Sequence, residues 1–175
     1  QTSFNHVQTL IGNIPSLVQC PDFTNMVTGV LPDYYAAGEF KVLIIPNSNM
    51  LSKRNKSAEW QRTYMQFLLN AIRTIRDAGW TPVLLNHEIE QDSTVCQHLV
   101  SQTDGFLELI EEADPLKVKG IIGASKAVIC SRYHGCVSAL SQGVPCLGTS
   151  WSHKYERLFD EYGQSEALLS ADTTS

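Results

Sequence analysis

The sequence predicts an α/β fold, a Rossmann-like parallel sheet with helices on both faces. Three observations carry that expectation. Short apolar runs recur at 42–45, 82–85, 127–130 and 144–148, each followed by turn or polar residues. Between them lie segments whose apolar residues step by three and four. Gly79, Gly143 and Gly163 stand where three of those segments should stop, in the position after a helix that favours glycine.

Residues 1–39 follow a different pattern. They hold Asp22, Asp33 and Glu39 but no Lys or Arg, and Pro15, Pro21 and Pro32 divide them into short pieces. Leu17-Val18-Gln19-Cys20 reads as a short strand ended by Pro21-Asp22. We assign 1–39 to the tail of a preceding domain and a linker, and 40–175 to one Rossmann-like domain. The chain starts at Gln1 rather than Met, which reads as a fragment or a processed protein.

From Lys41 the pattern is regular. Val42-Leu43-Ile44-Ile45 suits a buried parallel strand, and the loop Pro46-Asn47-Ser48-Asn49 follows it. A helix over 57–78 places Trp60, Tyr64, Phe67, Leu68, Ala71, Ile72 and Ile75 on one face. A strand over 82–85 ends at Asn86-His87-Glu88. Residues 91–103 suit a helix and 106–109 a strand. Asp114 caps a helix with Pro115 at its first position, running to about Ala124. A strand over 127–130, a helix over 134–142, a strand over 144–148 and a helix over 153–162 complete the series. Pro145 must lie near the start of its strand.

Composition narrows the function. Hydrophobic residues make up 43% and charged residues 18%, a globular balance rather than a disordered one. The net charge is −5 with no run of Lys and Arg, which excludes a broad nucleic-acid footprint. No apolar run approaches the roughly 18–20 residues of a membrane span. The five cysteines form no CxxC pair, so neither a structural zinc site nor any other metal is expected. Their odd number fits reduced thiols and a cytoplasmic location. No GxGxxG follows the first strand, against a dinucleotide site.

Ligands of open α/β sheets bind beyond the carboxyl ends of the strands. After the strand at 127–130 comes Ser131-Arg132-Tyr133-His134-Gly135, then a helix. A helix N-terminus favours anions. Arg132 can grip a phosphate or carboxylate with two donors, His134 can give a hydrogen bond or a proton, and Gly135 lets backbone approach a ligand. The plain alternative is that Arg132 pairs with a carboxylate and His134 caps its helix. Asn47, Asn49 and Lys53 follow the first strand as candidate contacts to substrate hydroxyls, and a polar surface loop reads equally well. His87 and Glu88 follow the second strand, with Asp92 nearby; acid–base work and helix capping both fit. Trp151 and Tyr155 could form a sugar platform, although Tyr155 and Phe159 have the spacing of a packed helix face.

The run Ile129-Cys130-Ser131-Arg132-Tyr133-His134-Gly135, then Ala139-Leu140, Gly143-Val144-Pro145 and Lys154, resembles the carboxyl-terminal signature of polysaccharide pyruvyl transferases. Tyr133 replaces a common Leu and Gly135 a common Ala. The resemblance implies one half of a two-domain GT-B-type enzyme, with 40–175 as the donor-binding half and an amino-terminal domain of the same protein as its partner. It also implies transfer of a pyruvyl group from phosphoenolpyruvate to a saccharide acceptor, forming a ketal, with phosphoenolpyruvate as donor substrate and no cofactor. On this resemblance Arg132 and the Tyr133-His134 turn hold the donor, Ser131 and Gly135 belong to the same turn, and Lys154 helps neutralise its charge. His134 is the expected general acid, and His87 a cleft residue. The chain alone is expected to be folded but inactive. A eukaryotic parent would place it in the Golgi lumen instead of the cytoplasm.

Two other functions share these features. A nucleotide-sugar glycosyltransferase would use the same basic turn for a diphosphate, with Glu156 or Asp160 for the ribose. A non-catalytic carbohydrate-binding domain would need only the cleft.

Overall fold

The computed structural model describes residues 2–20, 22–36 and 40–169. Its elements, in chain order, are α1 (Thr2–Ile11), β1 (Lys41–Ile45), α2 (Ala58–Asp77), β2 (Thr81–Asn86), α3 (Ile89–Ser101) and β3 (Glu108–Glu111). They continue with α4 (Pro115–Gly123), β4 (Ala127–Cys130), α5 (Tyr133–Ser141), β5 (Cys146–Thr149), α6 (Lys154–Glu161) and β6 (Leu168–Leu169). The six strands form one sheet in the order β3-β2-β1-β4-β5-β6, and all pairings are parallel. This is the Rossmann-like α/β fold.

The sheet has two covered faces. Leu43, Ile45, Val83, Leu85, Val128 and Cys130 point to one side and pack with Ile121, Val137 and Leu158 of α4, α5 and α6. Ile44 and Leu84, at alternate positions, point to the other side and meet Trp60, Leu68, Ile72, Cys96 and Leu99 of α2 and α3. Strands buried on both faces read as continuous apolar runs, which is why β1 and β2 carry no alternation.

Local signals set the helix ends. Ser57 accepts from the Trp60 amide at 3.2 Å and caps α2, and Asp114 accepts from the Leu116 amide at 2.8 Å and caps α4. Gly79, Gly143 and Gly163 all have positive φ, at 81°, 71° and 64°, the left-handed turn that ends a helix.

Several expectations change. Leu17–Cys20 is not a strand; the Leu17 amide donates to the Ile14 carbonyl at 3.0 Å in a turn, and no strand pairs with the segment. Pro21 lies outside the described residues. Helix α1, which the prolines and lack of charge gave no reason to expect, precedes it. Strand β3 starts two residues later than anticipated, because Asp104 and Gly105 turn at positive φ and Phe106 is drawn under the Arg76 guanidinium, 4.0 Å from its ring centre. Strand β5 begins at Cys146, after Pro145, whose carbonyl still accepts from the Val128 amide at 2.9 Å. The two-residue β6 extends the sheet beyond it.

Residues 22–36 lie against the domain. Tyr35 is buried in the core on the α4 side and its hydroxyl meets Ser125 Oγ at 3.2 Å. Lys119 of α4 is buried and donates to the Thr24 carbonyl at 2.5 Å. Among the described residues no helix is long and apolar enough to cross a membrane.

Candidate anion site at the strand ends

Ser131, the first residue after β4, is the hub beneath the site. It is fully buried, and its amide donates to the Ile45 carbonyl at 2.9 Å. Its hydroxyl accepts from Tyr64 Oη of α2 at 2.6 Å and meets Thr149 Oγ1 of β5 at 2.6 Å. Its carbonyl accepts from Asn47 Nδ2 at 2.9 Å and from Tyr155 Oη at 2.8 Å. Ser131 is therefore a structural residue, not the substrate contact expected of it. All its polar atoms are already used.

Gly135 lies in the first turn of α5; a Cβ there would sit 2.6 Å from Cys130 Sγ, so the absent side chain makes room for the strand. Arg132 is paired: Nε donates to Asp92 Oδ2 at 2.8 Å and Nη2 to Asp92 Oδ1 at 2.7 Å. Nη2 also lies 3.4 Å from Gln91 Oε1. The two-donor grip expected for the substrate is thus spent on Asp92. A guanidinium has five N–H donors, and the Nη1 pair takes part in none of these bonds.

Above this layer lies a cleft of about 100 Å³ lined by Asn47, Asn49, His87, Glu88, Arg132, Tyr133, His134, Trp151, Lys154 and Tyr155. Seven residues expected at the site meet there: Arg132, His134, Tyr133, Lys154, Asn47, Asn49 and His87. Lys53 does not; it is exposed in the turn after the Ser48–Leu51 helical turn and does not line the cleft. Asn47 lines the wall while capping that turn, accepting from the Asn49 amide at 2.9 Å. Tyr155 is buried, so the packed-helix reading of its spacing holds. Among the described residues no group of three His, Cys, Asp or Glu is placed to hold a metal.

Two cationic side chains, Arg132 and Lys154, and one carboxylate, Glu88, line the cleft. Helix α5 starts at its rim with Tyr133, and Arg132 at the cap position makes no side-chain cap. Helix α6 starts there with Lys154, also without a side-chain cap. A lysine at a helix N-terminus opposes the helix dipole. Its Nζ lies 4.5 Å from the Tyr133 ring centre, 5.8 Å from Trp151 and 5.7 Å from Tyr155. Among the described residues no carboxylate is within ion-pair distance of it. His134 is exposed at the rim, its ring edge-on to Tyr133 at 5.5 Å. His87 is mostly buried, and burial holds its pKa below the ordinary histidine value, with Glu88 opposing and Arg132 and His134 reinforcing that shift.

Sequence reasoning did not assign Asp92 its role as the partner of Arg132. Nothing local joins positions 92 and 132, and only the β2–β1–β4 order brings the two strand ends together. Tyr64 and Thr149, which clamp Ser131, were hidden for the same reason. A wider cleft of about 910 Å³, lined by Phe4, Val18, Asp22, Tyr133 and Glu161 among others, opens beside the small one and shares Tyr133 with it.

The fold is that of the Rossmann-like α/β class, with a cleft lined by Arg132, His134 and Lys154 at its strand ends. The sequence profile of polysaccharide pyruvyl transferases matches residues 1–153, and the chain belongs to that family. None of the curated proteins matches the chain. Among solved structures it is similar to the pneumococcal O-GlcNAc transferase GtfA, described in complex with UDP and GlcNAc. The match has a TM-score of 0.44 and 10% identity over 73% of this chain. The chain spans about a quarter, 24%, of that transferase.

Proposed function

We propose that this chain forms the donor site of a pyruvyl transferase that moves the pyruvyl group of phosphoenolpyruvate to a saccharide and closes it as a ketal. The observation that carries the reading is Lys154: a cation at a helix N-terminus, flanked by aromatic rings, without a carboxylate partner among the described residues, in a cleft that also holds Arg132 and His134. An anion is the missing counter-charge. The cleft's size favours a compact one, since sites for larger ligands run to about 300 Å³ or more.

The residue chemistry fits the reaction. Lys154 and the α5 N-terminus neutralise phosphate and carboxylate. The Nη1 donors of Arg132 supply a further contact, held in place by Asp92. His134 delivers a proton to the methylene carbon, the central carbon gains oxocarbenium character, and an acceptor hydroxyl attacks it as phosphate departs. The apolar side chains exposed among the described residues before β1, Val18, Phe23 and Met26 among them, favour a second domain of the same protein. That domain would hold the acceptor, and this half alone would be inactive.

The test is amide NMR of the domain titrated with phosphoenolpyruvate and, separately, with a UDP-sugar. Shifts at 133–135 and 154 with phosphoenolpyruvate alone, absent in Lys154→Ala, are expected. Shifts with the UDP-sugar alone would replace this reading with a nucleotide-sugar glycosyltransferase.

A further inference from the structure

The donor chemistry leaves one requirement unassigned: something must take the proton of the attacking hydroxyl. We propose that His87, oriented by Glu88, is that general base. The inference rests on the pyruvyl transfer reading above.

His87 is the first residue after β2, so it projects from a strand end beside β1 into the same cleft as Arg132, His134 and Lys154. Its side chain is 17% exposed. Nδ1 is the inaccessible edge and has no hydrogen-bond partner; Glu88 Oε1 lies 3.7 Å from it. A carboxylate on that side favours the tautomer with the proton on Nδ1 and leaves Nε2 as a lone-pair acceptor. The ring lines the cleft, so the part that meets a ligand is the edge away from Glu88. A carboxylate, an imidazole and a reacting hydroxyl in that order form the arrangement that activates a nucleophile.

The charged and titratable groups around the ring agree with a base. Burial, Arg132 and His134 disfavour the protonated form, while Glu88 and Asp92 favour it, and burial is the largest influence. His87 is consequently neutral at neutral pH and able to accept a proton. His134 is exposed at the rim of the same cleft.

The protons balance. The first hydroxyl attacks the central carbon as its proton passes to His87. His134 protonates the methylene carbon, using the electron pair of the C=C bond. Phosphate leaves with the electron pair of its C–O bond. The second hydroxyl then closes the ketal and its proton goes to the departing phosphate. His87 returns its proton to His134 through solvent, so no oxidant or reductant is needed.

The experiment measures phosphate release by the full-length protein from phosphoenolpyruvate with a panel of p-nitrophenyl hexopyranosides. His87→Gln should lower kcat by about 100-fold or more and abolish the acidic limb of the kcat/KM–pH profile. Its affinity for phosphoenolpyruvate should stay within about twofold, because the base acts on the acceptor. Should His87→Gln fail to fold, Glu88→Gln at a half-exposed position should lower kcat about tenfold with KM for phosphoenolpyruvate unchanged. Wild-type kcat and an intact acidic limb in His87→Gln would overturn the role of His87 alone, and wild-type kcat in Glu88→Gln would overturn its orientation by Glu88. Absence of phosphate release by the wild-type protein with every acceptor would overturn the pyruvyl transfer reading and this proposal with it.

Discussion

Asp92 holds Arg132 by two hydrogen bonds of 2.8 and 2.7 Å, from the first turn of α3 across to the turn after β4. The same Asp92 accepts from the Ser48 amide at 2.8 Å, so a single buried carboxylate fixes the loops after β1 and β4. Removing it strands a guanidinium that is only 12% exposed. Asp92→Ala should cost about 3–5 kcal/mol, the range for breaking a buried pair. Urea unfolding would measure it. Asp92→Asn, which keeps the shape and some of the hydrogen bonding, should cost less. An Asp92→Ala domain as stable as wild type would show that the pair adds nothing.

Ser131 gives a prediction that separates support from binding. Ser131→Ala leaves Tyr64 Oη and Thr149 Oγ1 short of a buried partner, which should cost about 1–3 kcal/mol. Phosphoenolpyruvate affinity, read by NMR titration of the folded fraction, should change little. Wild-type stability combined with lost affinity would return Ser131 to the substrate.

Gly135→Ala should destabilise by about 1–3 kcal/mol, since its methyl group would press on Cys130 Sγ and the helix would have to shift. Cys130→Ala removes that sulfur. The double variant Gly135→Ala/Cys130→Ala should therefore be more stable than the sum of the single changes predicts. A thermal-unfolding mutant cycle tests this, and strict additivity would refute it.

Lys154→Ala should leave stability within about 0.5 kcal/mol, because the lysine is exposed and opposed to its helix dipole. Its effect should fall on ligand binding, with phosphoenolpyruvate affinity reduced by about tenfold or more. Isothermal titration of the folded domain would measure it, and unchanged affinity would remove Lys154 from the site.

His87 predicts the pH dependence. Its folded pKa is below the unfolded value of about 6.5, chiefly through burial. The unfolded chain then binds the proton more readily. The stabilisation is complete above the unfolded pKa and is lost as pH falls through it toward the folded one. His87→Gln should flatten the stability profile on the acid side of that range. A slope unchanged by the substitution would assign it to other groups.

Most of the fold was legible because it depends on short-range signals. The apolar runs at β1, β2 and β4, the caps Ser57 and Asp114, and the terminal glycines each act within a few residues. What failed to appear depended on distant partners. Phe106 leaves the expected strand because Arg76 draws it away, and β6 exists only because β5 offers an edge. The site divided in the same way. Arg132, Tyr133, His134 and Lys154 reach the cleft because a strand end and two helix starts aim them there. Ser131 belongs to the same motif but its side chain faces inward, a distinction of direction that a string of letters does not contain. Asn47 does both, lining the wall while tying down Ser131. Lys53 fell away because the chain turns after Leu51 and carries it into solvent.

The knot at Ser131 has a consequence for how such a site can diversify. Tyr64, Asn47, Thr149 and Tyr155 reach the same residue from four separate parts of the chain. None of those four parts can be exchanged without leaving Ser131 short of a partner. A graft that transplants the turn at 131–135 into another scaffold must bring those four residues with it. Gradual change is confined to rim side chains outside the knot, such as Asn49, so new specificity would arise there while the floor stays constant.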